Sequence, residues 1–169
     1  MEKSGGFDMS KMSMATKIIL GAGILLLIDS FLSWQKVCAS DILGSLGGLG
    51  DICAKANAWG GSGGWAGLIM GLLLIALLVW EGMQLANMQM NLGVGLTPSK
   101  LAAYLGFGVV VFGLIKFLFA VTNDAALFAF VGLILILAVG YGAWMKFQEP
   151  ETAMPPPMAP GGTDGGFTA

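Results

Sequence analysis

Histidine and arginine are both absent from the chain, and only 11% of its residues are charged. Without an imidazole there is no histidine acid–base chemistry, no histidine ligand for a haem and none of the usual catalytic zinc sets. Cysteine is nearly absent too. Cys38 and Cys53 are the only two, and the segment 39–52 between them is far longer than a C-x-x-C redox pair allows. An enzyme built on Asp29 or Glu81 alone would lack the partners its chemistry needs, so no enzyme, metal or cofactor is expected. The net charge is only -2, which leaves no basic footprint for nucleic acid.

What the chain has in quantity is apolar residues. They make up 56% of it, with a mean hydropathy of +0.82, whereas about a quarter of an ordinary soluble domain is charged. Four apolar runs approach or reach the ~20 residues a helix needs to cross about 30 Å of hydrocarbon. They are 18–34, 64–86, 100–121 and 125–144, and together they predict an all-α, four-helix transmembrane bundle over residues 17–145. The short link between the last two makes them a helical hairpin. Thr122, Asn123 and Asp124 are its candidate N-caps.

Orientation rests on lysine. With the N-terminus inside, Lys3, Lys11, Lys17, Lys100 and Lys146 are cytoplasmic, and Lys36 and Lys55 lie in the long outer loop 35–63. Both termini are therefore expected in the cytoplasm, with the chain in the cytoplasmic membrane. Trp34, Trp65, Trp80, Tyr104, Tyr141 and Trp144 then sit near span ends, as interfacial aromatics do. Trp59 is expected near that interface too.

The flanks differ in kind. Residues 1–16 are polar, and the tail 146–169 is rich in proline and glycine, as disordered segments are. Pro155, Pro156 and Pro157 offer a short polyproline stretch for a groove in a partner, although a solvated tail is the simpler reading.

In the outer loop, an oxidising setting and an even cysteine count predict a Cys38–Cys53 disulfide. The enclosed "ASDILGSLGGLGDI" lacks the lysine and hydroxyl of a phosphate loop and reads as a cap over the helix tops. Gly63, Gly67 and Gly71 recur every four residues, a stripe that permits close helix packing within the bundle or in a homo-oligomer. Ala102 with Gly106 and Ala138 with Gly142 echo it.

Charges inside apolar runs carry the most information, because an unpaired one in hydrocarbon costs several kcal/mol. Asp29 and Lys116 each lie five residues before a span end, at similar depth, and are expected to pair. Glu81 follows Trp80 at the opposite interface and is expected to be hydrated. Met9, Met12, Met14, Met83, Met88 and Met90 present thioethers, but they lack cysteine or histidine beside them and read as packing filler.

The tryptophan of "DSFLSW", the "NAW" of the outer loop and the run "GGWAGLIMGLLLIALLVWEG" resemble the small multi-pass membrane proteins, of unknown function, common in actinobacteria. The resemblance covers about residues 17–145 and implies the architecture without implying an activity. The layout of cytoplasmic termini and a disulfide in the first outer loop is also similar to claudin-type four-span proteins. The expected role is an accessory or scaffold subunit of a membrane complex, with the lipid bilayer and a membrane-protein partner or second copy as its contacts. A small proton- or ion-coupled transporter or channel using Asp29 is the alternative.

Overall fold

The computed structural model describes residues 12–38, 53–86 and 97–149, with the backbone alone at 37, 38 and 53. Six elements follow in order: α1 (Met14–Asp29), β1 (Ser33–Cys38), β2 (Cys53–Asn57), α2 (Gly64–Leu85), α3 (Pro98–Val121) and α4 (Leu127–Gln148). The protein is a membrane protein, for α2, α3 and α4 are each long and apolar enough to cross a bilayer. The expected glycine-rich cap 39–52, the methionines at 9, 88 and 90, and the proline-rich 150–169 lie outside the described residues.

Local chemistry sets the ends. Ser13 caps α1, its Oγ accepting from the Thr16 amide at 3.2 Å, so the helix begins inside the segment read from sequence as a polar flank. Pro98 occupies the first turn of α3, where its missing N–H costs nothing. The expected caps of α4 do not form. Thr122 and Asn123 turn back onto the Leu118 and Phe119 carbonyls and close the end of α3, Asp124 takes a left-handed φ of 53°, and Ala126 is the N-cap.

The largest departure from expectation lies after α1. The helix stops at Asp29 after 16 residues, and Trp34, expected at the end of an 18–34 span, lies in a strand instead. An all-α description is thus incomplete. β1 and β2 form an antiparallel hairpin, with Lys36 opposite Lys55 and Cys38 opposite Cys53. The far edge of β1 is occupied as well. The Lys36 amide donates to the Asp124 carbonyl at 3.1 Å and the Ala126 amide to the Trp34 carbonyl at 2.8 Å, so the α3–α4 link pairs with β1 through an isolated bridge between Gln35 and Ala125.

A bulge between Ser33 and Gln35 breaks the ladder's alternation. Trp34 and Gln35 are consecutive and both fully buried, so both faces of β1 are covered here.

The helices form a ring in which α1 packs on α2 and α4, and α3 on α2 and α4. Ile19, Leu26, Met70, Leu74, Leu77, Val109, Ile136 and Val139 fill the interior. Since lipid is as apolar as leucine, close van der Waals packing rather than water exclusion holds such an interface. Small residues allow the approach: a side chain at Gly106 would meet Ala143, and one at Gly142 would meet Ile19. The outward faces are apolar, with Ile24, Leu25, Leu72, Val111, Ile134 and Leu137 exposed.

Candidate polar sites at the two ends of the bundle

Two buried polar clusters sit at opposite ends of the apolar interior. The first lies under the hairpin, where α1 and α3 end and α2 and α4 begin. Asp29 and Lys116, expected to pair, do not. The Lys116 ammonium donates to the carbonyls of Gly60 at 2.7 Å and Ser62 at 2.8 Å. Asp29 instead accepts at Oδ2 from Trp34 Nε1 at 3.1 Å, a bond that the same N–H shares with the Asp29 carbonyl. The physical reason is the loop 58–63, which descends into the bundle and offers lysine two main-chain acceptors before it can reach the carboxylate.

Several contacts seat that loop. The Ala58 amide donates to the Ser30 carbonyl at 3.1 Å, Trp59 Nε1 donates to Ser30 Oγ at 3.0 Å, and the Trp59 ring stacks on Phe31. Gln35 Nε2 donates to the Ser62 carbonyl at 3.0 Å, so one carbonyl serves both an amide and an ammonium. Trp59 is a structural wedge rather than an interfacial anchor.

The glycine stripe explains the fit. A side chain at Gly67 would strike the Ala58 carbonyl, one at Gly71 would strike the Trp59 ring, and one at Gly63 would meet Phe119 at 2.5 Å. At Gly67 and Gly71 the stripe receives the chain's own loop, not a neighbouring helix. Gly63 is outside the helix proper, acting as its N-cap in a left-handed conformation with φ 70°. On the other side of the cluster, Gly132 of α4 leaves room for the Trp34 ring and the Asp29 carboxylate.

The second cluster lies at the opposite end and joins three helices. Glu81 of α2, expected to be hydrated, is fully buried. Its Oε2 accepts from Thr16 Oγ1 of α1 at 3.0 Å, and its Oε1 lies 3.3 Å from Lys146 Nζ of α4. Lys146, counted from sequence with the tail, belongs to α4 and is itself 5% exposed. Nearby, Trp80 Nε1 donates to the Pro98 carbonyl at 3.1 Å and Ser99 Oγ to Glu149 Oε2 at 2.9 Å, tying α2 and α4 to the start of α3.

Three buried polar atoms have no hydrogen-bond donor among the described residues: Asp29 Oδ1, Gln35 Oε1 and Glu81 Oε1. The last faces the Lys146 ammonium, which supplies charge without an aligned bond. Among the described residues no group of three or more acidic or cysteine side chains is arranged to hold a metal ion.

Of the residues singled out from sequence, the structure separates Asp29 from Lys116, sets Cys38 opposite Cys53 along the ladder, and turns two of the stripe glycines toward a loop. The Thr16–Glu81–Lys146 group went unread, although a signal was present. Glu81 and Lys146 carry opposite charge near the ends of two spans that finish on the same side. No protein-family model, curated protein or solved structure matches the chain.

Proposed function

We propose that the protein is a non-enzymatic, four-span scaffold or accessory subunit of a membrane complex. One observation carries this reading. Between the two polar clusters the bundle axis is filled by fully buried apolar side chains, Leu26, Met70, Leu74, Val109 and Ile136 among them, a solid support rather than a conduit.

In this reading α1 is the fourth span, supported by the exposed apolar side chains of Ile24, Leu25 and Ile28 at its outer half. At 1.5 Å per residue its 16 residues rise only about 24 Å, and the hairpin covers the remaining depth. Both termini lie in the cytoplasm and the hairpin outside, on the lysine distribution. A Cys38–Cys53 disulfide closes the outer loop. Residues opposed in an antiparallel ladder stand about 4.5–5.5 Å apart at Cα, within the span of a disulfide.

Gentle detergent extraction followed by crosslinking and mass spectrometry tests the role: a defined membrane-protein partner or second copy is expected, and a chain that is monomeric and alone in the native membrane overturns it. Single-cysteine labelling tests the topology, with a tail site expected to react from the cytoplasmic side only. Reduction of the intact protein should add two hydrogens to its mass.

A second reading, ion- or proton-coupled transport at Asp29, draws on the unpartnered Asp29 Oδ1. It predicts a pH-dependent flux in liposomes that Asp29→Asn abolishes without loss of folding.

A further inference from the structure

We propose that Glu81 is a proton-exchange site, reached from water at the end of the bundle through the hydroxyls of Ser13 and Thr16, with Lys146 as its fixed counter-ion. The hydroxyls form a continuous, directed chain. Ser13, exposed at the start of α1, donates from Oγ to Thr16 Oγ1 at 3.2 Å, and Thr16 donates from Oγ1 to Glu81 Oε2 at 3.0 Å. Thr16 is 5% exposed and Glu81 is fully buried, so the chain runs from solvent into the protein interior.

Hydroxyls suit this task because each carries one proton and two lone pairs and can rotate. Ser13 Oγ uses one lone pair on the Thr16 amide and keeps the other for water. A proton arriving from water at Ser13 Oγ displaces the Ser13 proton to Thr16 Oγ1, which passes its own to Glu81 Oε2. The net change is one proton taken from water and one carboxylate converted to a carboxylic acid. Rotation of the two hydroxyls restores the chain.

Lys146 of α4 is the ion-pair partner that the described residues give Glu81. Glu81 is the only ionisable residue of α2. On α1 the nearby Lys17 is exposed, and on α3 the residues at this end are Lys100 and the half-exposed Tyr104. Beyond Lys146, Glu149 is engaged with Ser99. Neutralising Glu81 therefore strands the Lys146 ammonium in the interior, and the end of the bundle where α1, α2 and α4 meet loosens. An ionisable group buried at a helix junction, with its partner and its access path both identified, is the arrangement proton relays use.

Infrared difference spectroscopy of the full chain in lipid nanodiscs reads the step directly. Stepping the pH down should produce the carbonyl band of a buried carboxylic acid, shifted by carboxyl-13C glutamate but not by labelled aspartate, and absent in Glu81→Gln. After a rapid pH jump, Thr16→Val should lose the fast phase of that band's appearance, whereas Thr16→Ser keeps it. A wild type in which no glutamate band of a buried acid appears at any pH where the fold survives overturns the site. A fast phase retained in a folded Thr16→Val overturns the path. Should either the Gln or the Val variant fail to fold, the 13C-labelled wild type and Ser13→Ala, altered only at an exposed position, decide the same two points.

Discussion

Lys116 and Gly60 are joined by a 2.7 Å bond from the buried ammonium to the main-chain carbonyl, so a charge in a membrane helix is solvated by loop backbone instead of paired with an acid. Ser62 supplies the second carbonyl dipole. Lys116→Met removes the donor and leaves the Gly60 carbonyl without one, while the Ser62 carbonyl keeps Gln35 Nε2. The loss costs roughly 1–3 kcal/mol, so a lower melting temperature and faster proteolysis within 58–62 are expected. An unchanged digestion pattern would show that the loop is held by its contacts to Ser30, Phe31 and Gln35 without the lysine.

Gly67→Ala and Gly71→Ala should each destabilise the fold by about 1–3 kcal/mol, because the added methyl meets the Ala58 carbonyl or the Trp59 ring. Gly21→Ala supplies the contrast, since nothing lies within 4 Å of the added methyl. Thermal melts in one detergent read the difference. Equal effects at Gly21 and Gly71 would contradict the seating of the loop.

Glu81→Gln or Lys146→Met alone breaks a buried pair and leaves one member without its partner, at a cost of roughly 3–5 kcal/mol. The double substitution leaves no stranded charge and should recover most of that loss. A double-mutant cycle by thermal denaturation measures the coupling. Strictly additive losses would mean that the two side chains do not interact.

Trp34→Phe keeps an aromatic ring of smaller size and deletes the Nε1 donor, leaving Asp29 with both carboxylate oxygens unserved. A destabilisation of about 1–3 kcal/mol follows. Combining it with Asp29→Leu, which removes the acceptor, should restore much of the stability. Tryptophan fluorescence against temperature serves as the assay, because Trp59, Trp65, Trp80 and Trp144 remain as reporters.

The three long helices were legible in the sequence because composition over twenty residues is a strong signal in a bilayer. Their observed bounds differ from the expected ones by a few residues. The end of α1 was not legible. "DSFLSW" continues an apolar run, and composition cannot register that Ser33 begins a strand or that a bulge turns Trp34 inward. The glycine stripe was read for its spacing, which reports a flat surface but not its occupant. Depth arguments placed Asp29 and Lys116 level with each other, yet could not see that backbone carbonyls would reach the lysine first. Glu81 misled for a related reason: a charge at the end of an apolar run reads as wet, and its burial depends on two residues from other helices, Thr16 and Lys146.

The seat of Trp59 carries a consequence for biogenesis. Its ring rests on Gly71 of α2 while bonding Ser30 and stacking on Phe31 just beyond α1, so the slot does not exist until those two helices stand side by side. Loop docking is thus a post-insertion event. The helices must first find one another in the membrane, and only then can the loop 58–63 close over them. A chain arrested before that stage would expose Trp59 to water, which makes this residue a reporter of maturation.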